Sequence, residues 1–411
     1  MESSPVITHQ SEKFYAPSAQ TERGYSSNIA ISRDGKWMAY TIGNIVALRS
    51  LEDLKTCKVF TGHKNKTSAV SFSPSGSYVA SGDILGNVIV WQLDNLTIKK
   101  ELSNLLSGKV IGIDWDESSH MLLVFGDGKK AQGKCVTWEN GASLGDLGTH
   151  TKLALCGDFR KAEPYAIVTG SEDFTLNFNQ GSHFDLKKTL REHKNFVTAV
   201  KFSPDSSKFV SVSFDKKIVL YDAIEGEVLF TLAVDKAPGN HSMAITGVCW
   251  LDNSTIATCS IDKTVKVWDL NEKTLKYSLF PKDQTALGIP EICCGINTNG
   301  NYIVCLSLSG LLNFWELSKL EDGKLPDRVI DGHQNYIAGI IQCKQKNLTI
   351  SGDTAGKVIV WRGDENEFLR TLTKHEFGVF SMSLSSDENS VVFLIYDGSV
   401  VSIDTDSGNL K

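Results

Sequence analysis

Three features of the sequence point to an all-β fold, a propeller built from about nine repeats of four short strands. Six of the nine histidines (His63, His150, His193, His241, His333 and His375) stand 42 to 48 residues apart, or 87 and 92 residues apart, which is two such periods. A second comb of aromatics keeps step with them: Trp91, Trp138, Phe178, Tyr221, Trp268, Trp315 and Trp361, spaced by 40 to 47 residues. Polar turn sequences return at one place in the unit, as in "SPSG" at 73–76, "SPDS" at 203–206 and "NTNG" at 297–300. A period of this length is that of a propeller blade, a unit that buries its two faces only by stacking on neighbours.

The units come in order along the chain. The first begins near Asn28 and turns at "SRDG" (32–35); the second runs from His63 to past Trp91. The third begins near Lys109, carries a long glycine-containing turn "GDGKKAQG" (126–133) and ends past Trp138. The fourth opens at His150, with "GSEDF" at 170–174 and "GSHF" at 181–184; the fifth opens at His193 and keeps Asp215, with Tyr221 in the tryptophan place. The sixth, from His241, is the clearest: "AITGVCWLD", "STIATCSID", "KTVKVWDL" and "KTLKYSLF" are four strands with polar turns between them. Alternation with β-branched residues is what a half-buried strand needs. The seventh begins near Gly288, the eighth at His333 and the ninth at His375 with "SSDE" at 385–388. The turn residues supply the conformations that a tight connection requires.

Bulk properties narrow the function classes. A hydrophobic fraction of 41% and a charged fraction of 22% are those of a soluble globular protein. The net charge of −6 leaves no dominant basic surface, so nucleic acid is a poor partner on electrostatic grounds. Nine scattered cysteines without a CxxC pair read as reduced, mostly buried thiols. Residues 1–20 are polar and show no signal peptide, and no apolar run is long enough to span a membrane, so a cytoplasmic location is expected. No His/Cys cluster has metal-ligand spacing and no glycine-rich phosphate loop precedes a helix, so neither a cofactor nor a small-molecule substrate is expected.

The recurring residues resemble those of WD-repeat propellers. In that family a His before the first strand, a Ser or Thr in the second, an Asp in the following turn and a Trp in the third form a buried hydrogen-bonded chain. Its role is structural, since it satisfies buried polar groups and ties two loops together. Unit six carries it whole as His241, Ser260 (or Thr258), Asp262 and Trp268. In units two and eight, Leu85 and Ala355 occupy the Asp place, and Asp83 and Asp353 sit two residues earlier. A catalytic reading fails because the set recurs in blade after blade, as an active site would not.

Longer stretches are similar to one branch of that family. "GKVIGIDWDESSHMLLVFGDGKKAQGKCVTWENGASLGDLGTHTK" (108–152), "VTGSEDFTLNFNQGSHF" (168–184), the segment 191–227, "YSLFPKDQTALGIPEICC" (277–294) and "SLSGLLNFWEL" (307–317) resemble the actin-interacting protein 1 family. The likeness implies two seven-bladed propellers, binding to filamentous actin decorated with cofilin, and promotion of filament severing and disassembly without enzymatic chemistry. It also implies residence on the actin cytoskeleton, cortical actin patches included. Seven units, 21–330, are then expected to close one propeller, units eight and nine (331–411) to begin a second, and residues 1–20 to stand apart as an N-terminal segment. By position the family's binding residues fall on Asp127, on Glu172 or Asp173, and on Phe184. Family members more often have Glu at the first place and "GPPF" where this chain has "GSHF", so Ser182 and His183 loosen that loop. Carboxylates around an exposed aromatic would meet a basic, partly apolar patch. The alternative is a general WD-repeat scaffold for complex assembly or substrate recruitment to ubiquitin transfer, which the fold alone does not separate from the first reading.

Overall fold

A computed structural model describes residues 17–22, 26–27, 29–53, 56–232, 239–280, 292–363 and 367–407. Two expected unit starts, Asn28 and Gly288, and most of the 277–294 stretch lie outside the described residues. Among those described there are eight four-stranded antiparallel sheets and one three-stranded sheet, each made from consecutive strands. One three-residue 3₁₀ turn, Leu317–Lys319, is the sole helical element described.

Blade five shows why the sequence folds this way. Its strands are Val197–Phe202 (a), Lys208–Ser213 (b), Ile218–Asp222 (c) and Val228–Leu232 (d). Strands a to c place apolar side chains on both faces, and strand d is mostly exposed at the rim. The a–b turn closes on Ser203: Ser206 N–H donates to its carbonyl at 2.8 Å, and its hydroxyl donates to Asp205 at 2.6 Å. A bulge in strand a, between Val197 and Ala199, recurs in blades two, four, six, seven, eight and nine. Such an extra residue increases local twist and re-aims the side chains beyond it.

The core lies between blades. Phe178 of blade four, Phe209 and Tyr221 stack in sequence, with ring centroids 6.0 and 4.6 Å apart and planes nearly parallel. Burying each such ring contributes roughly 2–3 kcal/mol relative to exposure. Charged staples add to the packing on the inner strands. Asp114 of blade three accepts from Phe159 N–H and Lys161 Nζ of blade four, both at 2.8 Å. Asp158 of blade four repeats this with Phe202 N–H (2.8 Å) and Lys201 Nζ (2.5 Å) of blade five. All nine cysteines are free thiols, and eight are buried. Burial pushes Cys135 and Cys156 up to about 12, so they act as small apolar residues.

The described residues divide into two compact units, one within 18–51 and 58–330, the other within 331–407 together with Pro17 and residues 52–53 and 56–57. In the larger unit seven sheets pack in order and the first meets the seventh. Ser27 N–H donates to the Cys294 carbonyl at 2.7 Å, and Asn297 Nδ2 to the Ile29 carbonyl at 2.7 Å. This ring has no open end, and it encloses a cavity of about 680 Å³ lined by first-strand residues such as Ser71, Asp114, Lys201, Cys249 and Asn297. The smaller unit holds blades eight and nine, packed through Ile350, Val358 and Val360 of one and Val379, Val391 and Phe393 of the other.

Candidate protein-interaction surface

One bond repeats at the same end of eight blades. A residue in the b–c turn donates its N–H to the carbonyl just before strand a: Ile84 to Lys66, Asp127 to Lys109, Glu172 to Leu153, Phe214 to Phe196, Ile261 to Ala244, Leu308 to Ile292, Thr354 to Tyr336 and Tyr396 to Gly378, at 2.8 to 3.0 Å. The turn and the loop entering the blade are thereby fixed together, and side chains on both are presented on a rigid rim. Binding residues carried on loops over a rigid scaffold are the usual arrangement.

Beneath that rim lie the histidine chains. In blade six His241 Nε2 meets Thr258 Oγ1 at 2.8 Å, His241 Nδ1 meets Asp262 at 2.9 Å, and Trp268 Nε1 donates to Thr258 Oγ1 at 2.8 Å. The hydroxyl of this chain is therefore Thr258 and not Ser260. Ser260 lies one residue pair nearer the turn, where its Oγ donates to the Ala244 carbonyl (2.8 Å) and accepts from Asp262 N–H (3.1 Å). Blades four and five repeat the His–hydroxyl–acid part with Thr169 and Ser211, each four residues before its acid, Asp173 or Asp215, while Phe178 and Tyr221 stand in the tryptophan place. In blade eight the acid comes two residues after the hydroxyl: Asp353 meets His333 Nδ1 at 2.9 Å, Ser351 meets Nε2 at 2.7 Å, and Trp361 donates to Ser351 at 2.7 Å. The displaced acid thus reaches the same ring. In blade two the equivalent Asp83 is held by Asn65 and Asn87, while His63 and Trp91 share Ser81.

The family-implied residues do not share one setting. Asp127 is exposed on the third blade's turn, which is closed by Gly126 N–H on the Gln132 carbonyl at 2.8 Å. Two glycines make room for it. A Cβ on Gly126 (φ +155) would lie 2.2 Å from the Lys109 carbonyl oxygen, and one on Gly108 would lie 2.5 Å from the Asp127 carboxylate. Glu172 is half-buried on the next blade's turn at the same end. Asp173, by contrast, is consumed internally, accepting from Thr151 N–H (2.9 Å) and Thr175 Oγ1 (2.6 Å) and pairing with His150. Burial raises its pKa, but the His150, Thr175 and Thr151 bonds outweigh this and hold the carboxyl far below its usual range.

Phe184 overturns the expectation of an exposed aromatic. It is 4% exposed and sits edge-on to Phe159 at 5.7 Å in a core with Phe125, Leu147 and Ile167. It also lies in the c–d turn, at the opposite end of blade four from Glu172, because an antiparallel meander places alternate turns at opposite ends. With φ +51 its backbone turns the ring inward towards blade three.

Other aromatics reach the surface of the rim, Phe174 exposed and Phe196 and Phe214 half-buried. Phe174, Phe196 and Phe214 form a row across blades four and five, with successive centroids 5.8 Å apart and Lys152 Nζ 5.8 Å from the Phe174 ring. Phe174 is 37% exposed and stands at φ +71, a conformation rare for a bulky residue, where blades five and six have Lys216 and Lys263. The stretches "SEDF", "KNF" and "SFDKK" carry this signal, masked in the sequence by the charged residues beside each phenylalanine.

The pattern described as WD domain, G-beta repeat matches residues 54–92, 184–222 and 233–269. The chain is a WD-repeat protein. It is 32% identical over 368 residues to WD repeat-containing protein 1 of Gallus gallus, covering 88% of this chain and 58% of that one. It is 31% identical over 356 residues to actin-interacting protein 1 of Drosophila melanogaster (86% and 57%), and 31% identical to the 66 kDa stress protein of Physarum polycephalum (84% and 56%). The WD-repeat chain thus spans under two thirds of the length of these relatives. The fold is also that of the computationally designed Ika8 protein, whose crystal structure superposes with a TM-score of 0.52 at 21% identity, covering 83% of this chain and 96% of that one.

Proposed function

We propose that this WD-repeat protein binds actin filaments and cooperates with a cofilin-type protein to fragment them, working by binding and without covalent chemistry. The observation that carries the reading is the 31% identity, over 86% of the chain, to a protein named for its interaction with actin. The rim supports it. Asp127 offers an exposed carboxylate, Glu172 a half-exposed one, and the Phe174–Phe196–Phe214 row supplies the apolar anchor expected of Phe184. Aromatics held in place by a rigid backbone lose little entropy on binding, and rim charges set register and association rate. Residues 331–411 are proposed as the start of a second propeller, and the protein is placed on the actin cytoskeleton.

The test is fragmentation watched by fluorescence microscopy on cofilin-decorated filaments. The chain should raise the number of breaks per filament length, and Asp127→Lys or Phe196→Ser should reduce that effect with unchanged circular dichroism. Breakage no faster than with cofilin alone would remove severing from the reading.

A further inference from the structure

The two ends of the seven-bladed ring differ in charge. At the end of the b–c turns, Lys64, Lys129, Lys130, Lys152, Lys194 and Lys216 are exposed on blades two to five. None of their ammonium groups pairs with a carboxylate among the described residues, whereas Lys109 beside them is tied to Glu22 at 2.7 Å. Of the acids in the turns and loops at this end of those blades, Asp83, Asp173 and Asp215 are turned inward onto asparagines and histidines. Asp127 and Glu192 are exposed and Glu172 is half-buried. Apolar tips stand among the lysines: Ile84 and Leu85 (37% and 54% exposed) on the turn of blade two, Phe174 on that of blade four, and Met243 (49%) on the loop entering blade six. The a–b and c–d turns at the other end carry exposed acids instead, among them Asp94, Asp205, Asp252 and Glu272. Chain order interleaves the two ends, so the net charge of −6 conceals the separation.

Unpaired lysines among exposed apolar tips are the surface chemistry of a peripheral membrane contact. The lysines are drawn to anionic headgroups, and the apolar tips enter the interface beside them. Here the lysines are spread over four neighbouring blades and the tips over blades two, four and six, which fits a broad planar partner. A nucleic-acid backbone would take the lysines but offers nothing to Leu85 or Met243. We propose that this end of the ring docks on an anionic lipid surface, with the acidic end facing away from it. The inference goes beyond the filament reading and does not depend on it, although both use the same end of the ring. Asp127 separates them, since its carboxylate is proposed to aid filament contact and would repel anionic headgroups.

Flotation of the full chain with phosphatidylcholine vesicles, with and without about one third phosphatidylserine, tests this. The chain should float with the anionic vesicles and not with the neutral ones, and less as salt rises. Lys194→Glu combined with Lys216→Glu should weaken partitioning about tenfold or more. Leu85→Ser should weaken it too, both with unchanged circular dichroism. Asp127→Lys should strengthen it, the opposite of its expected effect on filament breakage, and Glu272→Lys at the other end should leave it unchanged. No flotation with the anionic vesicles at low salt would overturn the proposal. So would equal flotation with neutral vesicles, or anionic binding that the double reversal leaves intact.

Discussion

At the scale of single residues, the histidine chains decide how the blades respond to substitution and pH. Thr258→Val removes the one oxygen that His241 and Trp268 share and strands two buried groups, each costing about 1–3 kcal/mol. Urea unfolding should show that loss, and a midpoint equal to wild type would mean that the chain contributes nothing. Protonation gives a second test. Burial raises the Asp215 and Asp262 pKa values, but bonds from His193 and His241 and from neighbouring backbone N–H groups win and hold both down at about 2, against an ordinary 3.8. A carboxyl lowered on folding stabilises above its unfolded pKa, and that contribution is lost as pH falls from about 4 towards 2. His63 and His241 are also lowered, chiefly by burial, from 6.5, so the unfolded chain takes up their protons first. Stability should therefore decline gently below pH 6.5 and steeply below pH 4, in denaturant titrations at fixed temperature. Flat stability from pH 7 to pH 4 and a gain below it would show that the sign is the reverse. The sequence showed the pairs His241 with Asp262 and His193 with Asp215, whereas His375, which also stands on the comb, has a ring Nε2 with no hydrogen-bond partner among the described residues. The sequence did not separate Thr258 from Ser260, because both side chains point to one face of the strand and only the depth of the histidine ring chooses between them.

At the scale of elements, the turns were legible as turns but not as environments. "GDGKKAQG" and "GSEDF" stood out by length and charge, and both carry rim residues. The residues alone left open which end of a blade each turn occupies, and that placed Phe184 wrongly. A four-residue c–d turn looks like any other polar turn until the strand count beside it is fixed. Phe184→Ala should behave as a core truncation, costing about 3–5 kcal/mol, with binding per folded molecule unchanged. A stable Phe184→Ala protein with lost binding would restore the aromatic to the surface. Gly126→Ala belongs to the same scale. A Cβ there would lie 2.2 Å from a backbone oxygen, so the Asp127 turn should shift and the protein lose stability, whereas Asp127→Ala should cost almost none. The inter-blade staples of Asp114 and Asp158 were not legible, since a Lys and an Asp some 45 residues apart announce nothing until blades are stacked.

At the scale of the molecule, the repeat comb gave the blade count and the family resemblance implied that seven units close, while the contact itself, of the first sheet with the seventh, could be read only from the structure. That closure predicts that removing residues 331–411 leaves a cooperative unit. A chain ending at Ile330 should unfold in one sharp transition, and a broad, dye-binding transition would show that the ring depends on blades eight and nine. Filament binding is the function on which the rest turns, and co-sedimentation with filamentous actin, with and without cofilin, measures it. The chain should pellet with cofilin-decorated filaments, and Asp127→Lys should pellet less at physiological salt. A folded wild-type chain that stays in the supernatant under both conditions would refute filament binding.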